Sequence, residues 1–145
     1  MIKKRFNQLK TLSLLEWQLL VTSAILLPLT ALWLHLFGLK RTQQFMKYFT
    51  PAAPKTSPRK EEELRYGQMV ARMVSVAANH GLYRANCLKK SLVLCWLLKR
   101  KGIKADLHIG VQKKGELLDA HSWVEISGNV LIDDENTIQG FRALL

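Results

Sequence analysis

The chain has 145 residues, 48% of them apolar, which allows one folded domain plus an appendage and excludes wholesale disorder. Its net charge of +11 is unevenly placed: residues 1–60 carry ten Lys/Arg against the single acid Glu16, a net of +9, whereas residues 61–145 carry twelve bases and ten acids, a net of +2. The bases flank an apolar stretch and form no stripe interleaved with aromatics, which points to an anionic membrane surface or an acidic peptide as partner and away from nucleic acid.

Residues 1–49 read as a basic, apolar helical segment. From Gln18 to Leu39 there is no charged side chain, and by length this run reaches across a bilayer. Pro28 sits inside it, and Gln18, Thr22, Ser23, Thr30 and His35 dilute it. Positive charge on both sides predicts no clear orientation, and the absence of a following small-x-small site disfavours a cleavable signal. Two readings stay open. Either residues 18–39 span a membrane, or they form a helical hairpin that lies on the membrane surface or packs on the domain or a partner. Residues 50–60, T-P-A-A-P-K-T-S-P-R-K, hold three prolines and no large apolar side chain, and read as a linker.

The folded part, residues 61–145, opens with E-E-E at 61–63, acids well placed for a helix start. Met69, Val70, Met73, Val76 and Ala77 continue at helical spacing, and Gly81 ends the helix. A second helix runs from about Leu88 to Lys101, with Cys87 just ahead of it or on its first residue. Its apolar positions cover most of the circumference, so it should be central and largely buried. Gly102 is its stop, after Lys99, Arg100 and Lys101. From Ala105 the period switches to two: one strand to about Gln112, a turn at 113–116, a second strand over Leu117–Ile126, a hairpin at Ser127–Asn129 and a third strand over Val130–Asp133. Helices followed by an antiparallel meander make an α+β domain.

Two cysteines, Cys87 and Cys95, fall eight apart on one helix, about 12 Å along its axis, too far for a disulfide. The chain thus reads as built for a reducing compartment, the cytoplasm. Taken alone, a cysteine at a helix start is more often a small buried hydrophobe than a nucleophile. Its surroundings argue otherwise. A thiolate there faces unpaired backbone N–H groups and the positive helix end, beside Arg84, Lys89 and Lys90. A nucleophilic cysteine needs a base, and the base a partner that fixes its tautomer. His121 lies on the second strand and Asp133 at the end of the third, close across a tight hairpin. Asp134 takes the role of Asp133 if a bulge shifts the register. Trp123 shares a strand face with His121, and His108 faces the polar side of the first strand. Cys95 reads as core. No Cys-x-x-Cys or His-x-x-x-His spacing supports a metal made from Cys87, His108 and His121, so neither metal nor cofactor is expected.

The strings R-A-N-C-L-K-K-S (84–91), L-L-K-R-K-G-I-K-A-D-L-H-I-G-V (97–111) and A-H-S-W-V-E-I (120–126), with Asp133 twelve residues after His121, resemble the bacterial lasso peptide leader peptidases of the transglutaminase-like superfamily. The likeness covers residues 65–145. It implies a papain-like cysteine protease domain that removes the leader of a ribosomally made precursor peptide. It also implies two partners, a separate leader-recognition protein and an ATP-dependent macrolactam synthetase. Carried onto these residues, Cys87 is the nucleophile, His121 the general base and Asp133 the residue that orients it. The Cys87 N–H would be an oxyanion donor, with Asn86 a candidate second. Two other functions remain: acyl transfer or amidase action on the same fold, and a non-catalytic membrane-associated adaptor.

Overall fold

The structure is a computed structural model that describes residues 12–48, 59–81, 83–132 and 138–144. The linker expected at 50–60 lies almost wholly outside the described residues, as do Asp133 and Asp134.

Helix α1 spans Leu14–Tyr48. Its start is a reciprocal cap. The Glu16 N–H donates to Ser13 Oγ at 3.3 Å, and the Ser13 N–H donates back to the Glu16 carboxylate at 2.8 Å. These bonds from Ser13, with the Arg72 guanidinium beside it, hold the Glu16 carboxyl below its usual range. Gly38 breaks the helix, with φ 72° and ψ 173°. Beyond it the chain doubles back, because the rings of Trp33 and Phe45 stand 4.9 Å apart. Twelve residues of unbroken helix would separate them by about 18 Å. Only glycine enters that backbone region freely, and the second arm is pinned to the break by Thr42, whose hydroxyl donates to the Gly38 carbonyl at 2.8 Å. The apolar run is thus neither a hairpin in itself nor a free span: up to Phe37 it is one continuous helical arm, and the chain folds back only at its end, into the more polar residues past Gly38. That arm is long and apolar enough to cross a membrane, yet it buries Leu19, Ser23 and Leu27 in the core.

Helices α2 (Lys60–His80) and α3 (Cys87–Arg100) begin and end close to where the sequence places them. The Gly102 N–H donates to the Lys99 carbonyl and the Ile103 N–H to the Leu98 carbonyl, a Schellman closure that tucks the buried Ile103 under the helix end. Ser91 through Cys95 are consecutively buried, so α3 is surrounded as expected. It is enclosed by α1, by Val70, Met73, Val74 and Ala77 of α2, and by Val124 and Ile126 of the sheet.

The sheet comprises β1 (Asp106–Lys114), β2 (Leu117–Ile126), β3 (Asn129–Val130) and β4 (Arg142–Ala143), in the order β3-β2-β1-β4. β1 and β2 pair antiparallel with Gly110 opposite His121 and His108 opposite Trp123. β3 is shorter than the strand expected over Val130–Asp133: it pairs Val130 with Glu125 and Asn129 with Ile126, and the chain bends at Leu131. Strand β4 has no sequence signal, since two residues cannot display a period. It pairs with Gly110 and Val111 of β1.

Candidate functional site

Cys87 is the first residue of α3, half-buried and with a free thiol. Asn86 caps the helix: its side-chain oxygen accepts from the Lys89 N–H at 3.2 Å. The capped N–H belongs to the third helical residue. The N–H groups of Cys87 and Leu88 have no acceptor within the helix and point out of its start. Asn86 keeps only its amide NH2 for the donor role considered from sequence. Lys89 is held by Tyr83, bonding its hydroxyl and lying 5.1 Å over its ring. The helix start is therefore cationic, with Lys90 and the exposed Arg84 alongside.

One turn along α3, Ser91 is fully buried and its hydroxyl donates to the Ser122 carbonyl at 3.1 Å. The Ser122 hydroxyl returns to Ser91 Oγ at 3.4 Å. The direction of that carbonyl locates the helix. The Val124 carbonyl takes the Leu131 N–H on the β3 side, and carbonyls two residues apart in a strand point the same way. The Ser122 carbonyl thus faces the edge of β2 beyond the reach of β3, and α3 satisfies it there. The cysteine helix, packed on the inner face of the sheet, is thus bonded to the histidine strand one residue from His121.

His121, Trp123 and Glu125 share the outer face of β2, while Ser122, Val124 and Ile126 face the helices. Trp123 is only 5% exposed although it lies on the outer face. It is packed by His108, whose ring stacks at 5.6 Å, and by His121, whose ring stacks at 6.4 Å. Its indole N–H donates to the Glu125 carboxylate at 2.8 Å, and the second carboxylate oxygen stands 3.6 Å from His108 Nε2. Phe141 closes the far side of His121 at 5.4 Å. Gly110 makes this packing possible. A Cβ there would come within 2.9 Å of the Trp123 ring and 3.0 Å of Phe141 Cβ.

The structure thus brings His108, His121 and Trp123 into one row and ties the Cys87 helix to the strand that carries it. Asp133 and Asp134 fall outside the described residues. Sequence reasoning missed three participants. Glu125 is not singled out by the sequence pattern, although W-x-E places both side chains on one strand face. Ser91 lies one helical turn from Cys87, a spacing that was available. Phe141 had no signal. Cys95, as expected, is buried, its thiol 3.6 Å from the Ala105 carbonyl. Among the described residues no group of three or more His, Cys, Asp or Glu is placed to hold a metal.

A cavity of about 160 Å³ lies elsewhere, between the α1 hairpin and α3, lined by Leu26, Trp33, Phe45, Leu92 and Trp96 among others. None of Cys87, His108, His121 or Trp123 borders it, and it holds no titratable side chain.

Among families of known proteins, a family model described as the transglutaminase-like superfamily matches residues 30–145. No curated protein and no solved structure matches the chain.

Proposed function

This chain belongs to the transglutaminase-like superfamily, and on that premise we propose that it is a cysteine peptidase that removes the leader from a lasso peptide precursor in the cytoplasm. The observation that carries the reading is the joint at Ser91. The helix that begins with Cys87 is bonded to the strand that carries His121 at the neighbouring residue. A bond between the two elements that carry Cys87 and His121 supports the reading of a preorganised pair rather than of residues on separate loops.

Cys87 Sγ attacks the carbonyl carbon of the leader's last residue as His121 takes the thiol proton. The tetrahedral oxyanion faces the N–H groups of Cys87 and Leu88 at the helix start, where the dipole favours negative charge. The imidazolium then protonates the leaving amine, the new N-terminus of the core peptide. Water attacks the thioester with His121 as base and releases the leader as a free acid. Asp133, or Asp134 in its place, orients the imidazole. Trp123, packed by His108 and His121 and anchored by Glu125, forms the wall beside His121. The leader is delivered by a separate recognition protein, and a macrolactam synthetase uses the freed amine.

The test is incubation of purified protein with precursor and recognition protein, read by mass spectrometry. Release of a leader fragment that Cys87→Ala abolishes and Cys95→Ala leaves intact supports the reading. Cleavage by Cys87→Ala ends it. A small mass change or crosslink without a cut reassigns the site to acyl transfer or amidase action.

A further inference from the structure

The first arm of α1 has two apolar faces, and only one is used by the fold. Leu19, Ser23 and Leu27, at four-residue steps, are 8% exposed or less and pack into the core. Leu14, Trp17, Val21, Ile25, Leu29, Leu32 and Leu36 follow one another at three- and four-residue steps, a single stripe along a helix. Every one of them is 44% exposed or more. The stripe is about 33 Å long at the usual rise per residue, far beyond the scattered apolar residues of an ordinary surface. No described residue covers it.

What covers it is indicated by charge. The one acid of residues 1–60, Glu16, is paired with Arg72, and the segment carries ten bases against that single acid in sequence. Lys40 and Arg41 stand exposed just past the turn at Gly38, and Lys3, Lys4, Arg5 and Lys10 precede the stripe in sequence. An apolar stripe with an aromatic near each end, Trp17 and Phe37, and bases beyond both ends suits an anionic bilayer surface. A protein groove would need no such excess of one sign. A spanning helix meets lipid all round, whereas this one has its other face in the protein core.

We infer that α1 is an in-plane anchor whose Leu14–Leu36 stripe sinks into the headgroup–acyl boundary of an anionic bilayer while the catalytic-type domain rides above it. The inference is independent of the chemistry assigned to Cys87.

The full chain is tested by co-sedimentation with phosphatidylcholine vesicles, with and without phosphatidylglycerol. Binding is expected only where the anionic lipid is present, weakening with salt and lost on alkaline carbonate washing. Ile25→Asp and Leu32→Asp each lower partitioning by about tenfold or more, given the cost of a carboxylate in an apolar phase. Leu117→Asp/Leu118→Asp is the control, since those side chains are barer still at 77% exposure but lie at the start of β2, away from α1; it keeps wild-type binding. Circular dichroism verifies that the variants fold. Carbonate-resistant retention indicates a span and overturns the inference. Absence of vesicle binding overturns it too, and sedimentation as a dimer sensitive to the same aspartates then assigns the stripe to a second copy. Binding that the aspartates do not weaken removes the stripe as its cause.

Discussion

Gly110→Ala perturbs the candidate site from the opposite strand. Gly110 pairs with His121, and the added methyl would lie 2.9 Å from two atoms of the Trp123 six-membered ring and 3.0 Å from Phe141 Cβ. Trp123 cannot retreat easily: its indole N–H is bonded to Glu125 and two imidazoles stack beside it. Overpacking of this kind costs roughly 1–3 kcal/mol. Taking ~2 kcal/mol and an unfolding entropy of ~2.1 cal/mol/K per residue, Tm falls by about 7 °C. Thermal denaturation followed by circular dichroism measures it. The origin of the loss is tested in the Trp123→Phe background, where the clashing ring is gone. There Gly110→Ala should cost less than half as much, the remainder reflecting Phe141. An undiminished cost in that background refutes the packing of Trp123 over Gly110. Because the displaced rings bracket His121, the single variant should also lose leader cleavage more than its stability loss explains.

Two further outcomes follow from the same geometry. Ser91→Ala strands the buried Ser122 carbonyl at the joint between α3 and β2; it should cost about 1–3 kcal/mol in urea denaturation and lower cleavage, and a variant with unchanged stability and activity contradicts the joint. Burial, with a smaller contribution from Asp106, pushes the Cys95 thiol above its ordinary range, Lys99 opposing. Its contribution to stability is therefore full below the unfolded-state thiol value, about 8.5, and is lost as pH rises through the higher folded value, because the unfolded chain releases the proton first. Denaturation at neutral and alkaline pH should show that loss in the wild type and a smaller one in Cys95→Val.

Much of this fold is legible in the residues. The period-two alternation from Ala105 places β1 and β2 because one face is buried and the other is not, and α3 declares itself by being apolar nearly all round. Other features are silent for physical reasons. β4 is two residues long and defined by its partner, so no local pattern marks it. Gly38 turns the α1 hairpin through its backbone conformation, which an apolar run with one glycine does not advertise. The reciprocal cap at Ser13 and Glu16 is written in the sequence as S-x-x-E, just ahead of the uncharged stretch. At the site, Cys87 and His121 stand out by chemistry, whereas Glu125 acts by holding Trp123, a contact that appears only once strand faces are assigned. Asp133 and Asp134 lie outside the described residues, and substituting each by Asn decides functionally which of them orients His121.

The pairing of Cys87 with His121 is tested most directly by the rate of iodoacetamide alkylation at neutral pH, with Cys87 and Cys95 resolved by peptide mass spectrometry. Cys87 should react faster than a free cysteine thiol, and His121→Ala should slow it by about tenfold or more, while Cys95 reacts only on unfolding. A Cys87 rate that is no faster than a free thiol, or that is indifferent to His121→Ala, contradicts the account.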